Sequence, residues 1–139
     1  QTRINELKKR FPMEDQLNGY FEDYSRGTRQ KFMIMAALLH EPSLLLIDEP
    51  IVGLDPESAH TAVEIFREYV AQDNRAILIS THTLWVAERL CSKFIILSHG
   101  SMSAYGSLTN LREKAGLKTG SLEEVYLKLV KKERENSND

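Results

Sequence analysis

A short apolar run that ends in two carboxylates constrains the fold of this chain most strongly. Residues 44–50 read Leu-Leu-Leu-Ile-Asp-Glu-Pro. Four bulky apolar residues without a polar break predict a strand buried on both faces, as in a parallel sheet. Ligand crevices in such sheets lie beyond the carboxyl ends of the strands, so we expect Asp48 and Glu49 at one crevice. The alternative is a buried strand that merely ends in a charged turn, but two adjacent acids followed by proline favour function.

Two further apolar runs, at residues 76–79 and 94–97, alternate with helical patterns along the chain. One helical pattern begins at Asp55, which suits an N-cap, and continues through Pro56 to about residue 72. The order strand, helix, strand, helix, strand predicts right-handed parallel crossovers covered by helices. The predicted fold class is therefore α/β.

The segment before the first strand predicts a helix with an unusual first turn. Residues 24–31 read Tyr-Ser-Arg-Gly-Thr-Arg-Gln-Lys, a small-residue turn that leads into the helix. Arg29 and Lys31 place positive charge in the first turn, which is unfavourable at a helix N-terminus unless an anion lies nearby. Helical spacing predicts one buried face, made of Phe32, Met35, Ala36 and Leu39.

Both ends of the chain carry further predicted elements. Apolar residues at helical spacing predict two short helices over residues 1–24. Residues 94–97 and 101–105 predict a β-hairpin. Two helices are expected after it, one over about 108–115 that a glycine closes and one that the capping box at Ser121 opens.

Composition limits the class of protein. The length of 139 residues suits one domain, and 42% hydrophobic with 27% charged residues is typical of a globular chain. The formal net charge of -2 gives no electrostatic footprint for nucleic acid. No stretch of 18 apolar residues predicts a membrane span, so membrane association is expected to come through a partner. The single cysteine, Cys91, is expected to be a packed thiol in a reducing compartment.

Three features occur in a fixed order: a Ser-x-Gly turn at a helix N-terminus, a buried strand ending in Asp-Glu, and a second strand ending in histidine. Together they resemble the ATP-binding-cassette (ABC) ATPases over about residues 24–105. The resemblance implies the C-terminal part of a P-loop NTPase fold, with parallel strands, flanking helices, a terminal hairpin and C-terminal helices. The matching motifs are the signature loop at 24–28, the Walker B strand at 44–48, the catalytic Glu49, the D-loop at Gly53, Leu54 and Asp55, and the switch histidine His82.

The resemblance implies ATP and Mg²⁺ as cofactors and gives each polar residue a role. Asp48 would hold the magnesium ion through water, because magnesium prefers oxygen ligands and keeps several waters. Glu49 would orient or deprotonate the attacking water. His82 would sense the terminal phosphate. The alternative for His82 is a cap on the helix that begins near Thr83.

The signature loop would bind the nucleotide held by an opposite subunit. Its residues are Ser25, Arg26, Gly27 and Thr28, and Arg26 and Thr28 stand where glycine and glutamine are usual in the family. A serine and a backbone amide at a helix N-terminus form an anion site. Catalysis would then require a head-to-tail dimer of two nucleotide-binding domains, with the D-loop at its interface. An ordinary N-cap by Ser25 is the alternative, and the two roles are compatible.

A phosphate-binding motif is absent from the 139 residues. No G-x-x-x-x-G-K sequence followed by Ser or Thr occurs, so the loop that cradles the β- and γ-phosphates is missing. We expect the chain to begin inside the helical subdomain, whose end is residues 1–27. Residues 28–106 would be a RecA-like core without the P-loop strand, and 107–139 a C-terminal helical extension. The P-loop strand would lie between the second and third strands, so its absence would leave strand edges unpaired. Without the phosphate-binding loop, the chain alone would not hydrolyse ATP.

The leading functional hypothesis is the C-terminal half of an ATP-binding subunit that drives export through an integral membrane permease. The hairpin and the Ser-Leu-Glu-Glu-Val-Tyr segment look most like ABC-2-type exporters. Such a subunit would be cytoplasmic, on the inner face of the cell membrane, with no nucleic acid partner. One alternative is a truncated cassette that acts as a binding or regulatory module. Another is a DNA-maintenance ATPase of the related group, although no long coiled coil or basic surface is visible.

Overall fold

A computed structural model shows two compact units, which we call the N-terminal unit (residues 1–82) and the C-terminal unit (residues 83–139). The structure describes residues 2–13, 19–98 and 100–136. The division at 1–27, 28–106 and 107–139 concerns subdomains of the related family, and it stays a prediction.

The described residues form six α-helices, one 3-10 turn and four strands. The helices are α1 (Thr2–Arg10), α2 (Arg26–Leu39), α3 (Pro56–Val70), α4 (Leu84–Leu90), α5 (Leu108–Ala115) and α6 (Leu122–Asn136). The strands are β1 (Leu44–Asp48), β2 (Ala76–Ser80), β3 (Phe94–Ser98) and β4 (Ser101–Gly106).

The first sheet pairs β1 and β2 in parallel, as the alternation of strands and helices predicts. The register runs from Leu44 opposite Ala76 to Asp48 opposite Ser80. Because the two strands end together, the polar residues that follow each of them meet at one edge of the sheet. Helix α3, whose N-cap is Asp55 as predicted, crosses between these strands and packs against β2.

Burial of β1 differs from the prediction. Leu45 is 5% exposed, but Leu44 and Leu46 are 54% and 70% exposed, so only one face of the strand is buried. Leu78 on β2, which pairs with Leu46, is also exposed. The expectation of a strand buried on both faces is wrong for this chain, because the described helices of the N-terminal unit cover one side of the sheet only.

The buried face of α2 is also different from the predicted one. Phe32 and Ala36 are exposed, whereas Ile34, Met35 and Leu38 are buried. The helix is rotated so that this face meets α1 and α3. Phe32 packs instead against other aromatic rings, with its centroid 5.6 Å from that of Phe21.

The two helices predicted before residue 24 are found in part. The first is α1, in which Leu7 is buried, and Phe11 beyond its end is buried too. Residues 14–18 of the second lie outside the described part of the chain, and its described end is a single 3-10 turn, Phe21–Asp23.

The C-terminal unit matches its prediction closely. Strands β3 and β4 form the expected antiparallel hairpin. Ser107 caps α5 in a capping box with Asn110, and Gly116 ends that helix in the left-handed conformation. One core joins the hairpin to the helices, and its buried members are Phe94, Ile96, Ala104, Leu111, Ala115, Leu122, Val125 and Leu129. Within the described ranges, no helix combines the length and the hydropathy that a membrane span requires.

Candidate functional site

The backbone at Glu49 turns sharply where β1 ends. Glu49 has φ +46°, in the left-handed region, which costs a non-glycine residue about 1 kcal/mol. Its amide donates to the carbonyl of Ser80 at 2.9 Å, and its carbonyl accepts from the amide of Val52 at 3.3 Å. Pro50, the next residue, is fully buried. The strand therefore ends in a fixed turn that directs the Glu49 side chain towards the end of β2.

The Glu49 carboxylate is held by the two residues that follow β2. Oε2 accepts from the hydroxyl of Thr81 at 2.9 Å, and Oε1 accepts from the backbone amide of His82 at 2.9 Å. Burial raises the pKa of Glu49, but the hydrogen bonds from His82 and Thr81 together outweigh it and hold the pKa below the usual value. The carboxylate is therefore ionised at neutral pH, as a proton acceptor must be.

The imidazole of His82 contacts the same carboxylate. Nδ1 lies 2.6 Å from Glu49 Oε1, so Nδ1 carries a proton and donates to it. The His82 side chain is 80% exposed, against 29% for that of Glu49, so the ring extends into solvent from the carboxylate that it contacts. The alternative role as a helix cap is not seen, because Thr83 occupies the N-cap of α4.

Asp48 stands at the end of β1, beside Ser80 of β2. The hydroxyl of Ser80 donates to Asp48 Oδ1 and orients an otherwise exposed carboxylate. Among the described residues no group of three or more acidic, histidine or cysteine side chains could hold a metal. One oriented carboxylate fits magnesium that arrives with a nucleotide, because this ion is usually bound by one or two carboxylates together with phosphates and waters.

The predicted signature loop forms the start of α2. Ser25 is the N-cap, its Oγ accepting from the Thr28 amide at 3.1 Å and lying 2.8 Å from Thr28 Oγ1. Thr28 is 9% exposed, so its side chain supports the Ser25 N-cap from the buried side of the helix. The N-cap alternative for Ser25 is thus correct, while nucleotide binding by Ser25, Arg26, Gly27 and Thr28 stays a prediction.

The predicted D-loop lies against that helix start. A Cβ on Gly27 would lie 2.7 Å from the carbonyl oxygen of Gly53, so only glycine permits this approach. Gly53 itself has φ +85°, and the Arg26 side chain covers it. Arg26, which departs from the usual glycine of the family, therefore packs on the D-loop.

Of the two cations predicted in the first turn, Arg29 lies in the first turn of α2 and Lys31 in the second, because the helix begins at Arg26, and both have partners. Lys31 Nζ lies 3.3 Å from Asp55 Oδ2. Asp55 also caps α3 by accepting from Ser58, and these bonds from Ser58, with a smaller effect from Lys31, hold its pKa far below the usual range. Arg29 donates to the carbonyl of Glu22. The charge that looked unfavourable in the sequence is explained by these local contacts.

The structure brings predicted site residues together in two groups. Asp48, Glu49 and His82 meet at the ends of β1 and β2, and the D-loop residues Gly53 and Asp55 contact Gly27 and Lys31 of α2. Sequence reasoning missed Thr81, which bonds Glu49, and also Ser80 and Gln30. The position of Ser80 and Thr81 directly after the second strand was a usable signal, because that strand ends at the same edge as Asp48.

Comparisons with known proteins identify a family and several relatives of this chain. Residues 2–84 match a protein family described as "AAA domain, putative AbiEii toxin, Type IV TA system". The ABC-type transporter ATP-binding protein EcsA of Bacillus subtilis is 42% identical over 133 residues, covering 96% of this chain and 53% of that protein. The ABC transporter ATP-binding protein NatA of the same species is 38% identical over 116 residues, 81% of this chain and 46% of that protein.

A solved ATP-binding subunit of an ABC transporter superposes with a TM-score of 0.85 at 41% identity, over 93% of this chain and 53% of that one. The fold is thus that of a P-loop NTPase, in the class of AAA-type ATPase domains. The chain belongs to that AAA domain family, and the relatives that it matches are ATP-binding proteins of ABC transporters. It spans about half the length of the relatives that it matches.

Proposed function

We propose that the chain supplies the hydrolytic residues of an ABC transporter ATPase, and that the intact ATPase hydrolyses ATP to drive export through a membrane permease. Glu49 directly follows Asp48 in the sequence. The observation that carries this proposal is that its carboxylate is ionised and is held by Thr81 and His82. The resemblance to ABC-2-type exporters supports the direction of transport.

In this proposal Glu49 is the base that orients or deprotonates the attacking water. Its carboxylate is ionised, and Thr81 and His82 fix both of its oxygens. His82 contacts Glu49 Oε1 and extends into solvent, so its ring can link the base to the terminal phosphate. Magnesium, which Asp48 would hold through water, neutralises charge on the phosphates when bound. Phosphoryl transfer needs this positioning and charge neutralisation more than covalent chemistry.

The signature loop indicates one proposed partner, a second nucleotide-binding domain. Ser25, Arg26, Gly27 and Thr28 would contact ATP bound to a second nucleotide-binding domain in a head-to-tail dimer, with Gly53, Leu54 and Asp55 at the interface. The exposed position of Ser25 and Arg26 at the start of α2 supports this assignment. The subunit would lie on the cytoplasmic face of the membrane, bound to an integral permease, without a nucleic acid partner.

The chain by itself is proposed not to hydrolyse ATP. A phosphate-binding loop of the P-loop type does not occur in its 139 residues, so nothing in this sequence provides the lysine and backbone cradle for the β- and γ-phosphates. Asp48 and Glu49 are both present, which favours an ATPase over a purely regulatory module, since a module that only binds has no use for the base.

The test compares the purified chain with a fusion that restores a full-length cassette. The fusion joins the segment of EcsA that this chain does not match to the N-terminus of residues 1–139. We expect ATP turnover by the fusion and none by the chain, because only the fusion holds both phosphate-binding and hydrolytic residues. Turnover by the chain alone, or a folded fusion that binds ATP and never hydrolyses it, would contradict the proposal. The second result would favour the regulatory alternative.

A further inference from the structure

One side chain of α2 reaches the backbone directly after the proposed base. The Gln30 side-chain amide Nε2 lies 2.9 Å from the carbonyl oxygen of Pro50 and 3.4 Å from that of Glu49. Gln30 is partly buried, and Pro50 is fully buried. The amide therefore bridges two successive carbonyls of the turn that ends β1, in a place where water competes little for them.

The turn that Gln30 reaches is the one that needs support. Three non-glycine residues in the described part of the chain have positive φ, namely Glu41, Glu49 and Asn74. Of these, Glu49 alone carries a proposed catalytic side chain, and a residue held in a sparsely populated backbone region persists only when its surroundings fix it. The Glu49 carbonyl accepts from both Gln30 and the Val52 amide.

We propose that Gln30 is a positioning residue for Glu49. By holding the carbonyls of Glu49 and Pro50, its amide keeps Glu49 in the left-handed conformation that places the carboxylate on Thr81 and His82. In this role Gln30 contacts neither the nucleotide nor the attacking water, and it acts through the backbone of Glu49. The role of Gln30 in catalysis rests on the proposed function, whereas the hydrogen bonds that its amide makes do not depend on that function.

The position of Gln30 on its helix gives the contact a second consequence. Ser25, the N-cap of the same helix, is five residues earlier, and it belongs to the loop expected to meet the nucleotide of the opposite subunit. Gln30 thus connects the signature loop, through one rigid helix, to Glu49, the proposed proton acceptor of the subunit's own site. Two other contacts, Lys31 with Asp55 and Gly27 against Gly53, hold α2 to the later part of the loop that follows β1. Because these contacts remain, loss of the Gln30 amide should release Glu49 without detaching the helix.

The test is NMR spectroscopy of the chain with three variants. Gln30→Met keeps the length of the side chain and removes its donor, and Gln30→Lys returns a donor. Gln72→Met makes the same change at an exposed residue after α3. The reporter is the backbone amide of His82, which donates to Glu49 Oε1. Urea unfolding of each variant measures global stability alongside.

In Gln30→Met we expect the His82 amide proton to shift upfield and to exchange about fivefold faster, as the loss of one hydrogen bond implies. Gln30→Lys should restore most of the wild-type shift, and Gln72→Met should leave it unchanged. A folded Gln30→Met chain with an unchanged His82 amide would overturn the proposal.

A measurement on the wild-type chain decides the matter if Gln30→Met does not fold. The side-chain amide protons of Gln30 should exchange with solvent more slowly than those of Gln72, which is exposed. Equal exchange rates would overturn the proposal as well. Neither readout needs ATP, so a failure of the proposed ATPase function would leave these results standing and would be recognised separately.

In the active fusion, Gln30→Met should lower kcat about tenfold and leave the KM for ATP nearly unchanged, because positioning of the base matters in the chemical step. An unchanged kcat would show that Gln30 has no part in positioning the base. Gln72→Met should match the unmodified fusion in both parameters.

Discussion

The N-terminal and C-terminal units each contain a two-stranded sheet, but the sheets differ in what they carry. In the hairpin β3–β4 the buried residues form an apolar core with α5 and α6, and no proposed site residue lies on either strand. In the parallel sheet β1–β2 both strands end in polar residues, and a left-handed Glu49 follows. The C-terminal unit is thus built for packing, and the N-terminal unit combines packing with a fixed polar cluster. Substitutions in the two units should therefore have separable effects.

The largest expected effect is in the core of the C-terminal unit. Leu111 is 0% exposed, and Leu111→Ala should lower the free energy of unfolding by about 3 kcal/mol through lost burial and a cavity. Urea unfolding followed by the fluorescence of Trp85, the only tryptophan, reports on this unit. Leu127→Ala, at an exposed position of α6, should change the stability by less than about 0.5 kcal/mol. A shift of the native His82 amide signal in Leu111→Ala would show that the effects of substitutions in the two units are not separable.

A smaller effect is expected where α2 meets the D-loop in the N-terminal unit. Glycine to alanine inside a helix usually stabilises by up to about 1 kcal/mol. Gly27→Ala should instead destabilise by about 1–3 kcal/mol, because its Cβ would lie 2.7 Å from the backbone oxygen of Gly53, which cannot move like a flexible side chain. Urea unfolding gives the sign. Stabilisation by Gly27→Ala would show that the two segments are not in close contact in solution.

The smallest effect concerns an ion pair that joins α1 to α3. Arg10 contacts both carboxylate oxygens of Glu68, at 2.6 and 3.0 Å, but both side chains are exposed, so Glu68→Gln should cost about 0.5 kcal/mol. The hydrogen bond from Arg10 holds the pKa of Glu68 below its ordinary 4.5. The pair therefore stabilises the unit above pH 4.5, and its contribution disappears as the pH falls through the lowered pKa.

Unfolding of wild type and Glu68→Gln at pH 7 and at pH 3 measures this contribution. The difference between them should be present at pH 7 and smaller at pH 3. Glu123→Gln in α6 is the matched control in the other unit, because Glu123 is exposed and forms no ion pair within the described residues. A difference that grows on acidification would contradict the assignment of the lowered pKa to Arg10.

The sequence predicted the C-terminal unit better than the N-terminal unit, for a physical reason. The hairpin, the helix end at Gly116 and the start of α6, where Ser121 Oγ accepts from the Glu124 amide at 3.2 Å, depend on turns and caps that neighbouring residues determine. The burial of Leu46 and of Phe32 depends on segments distant in the chain, which no local pattern specifies. The apolar run at residues 44–48 predicted the strand correctly, but it predicted two buried faces where the structure has one.

The site shows the same division. Asp48, Glu49 and His82 were predicted from their positions at strand ends, and the structure brings them together. Their roles remain proposals that rest on the family. The bonds from Gln30 to the turn after Glu49 could not be predicted, because they depend on how α2 is rotated, and the periodicity placed the wrong face of α2 in the core. The close approach of Gly27 to Gly53 is a long-range contact of the same kind.

Glu49 is proposed as the base of an ATPase, and steady-state ATP turnover by the fusion measures whether its carboxylate has that role. Glu49→Gln keeps the shape of the side chain and removes the proton acceptor, so kcat should fall by about 100-fold or more. Glu57→Gln, at an exposed acid in the first turn of α3, should stay within about twofold of the unmodified fusion. A Glu49→Gln fusion that still binds ATP and turns it over at the unmodified rate would show that Glu49 is not the base.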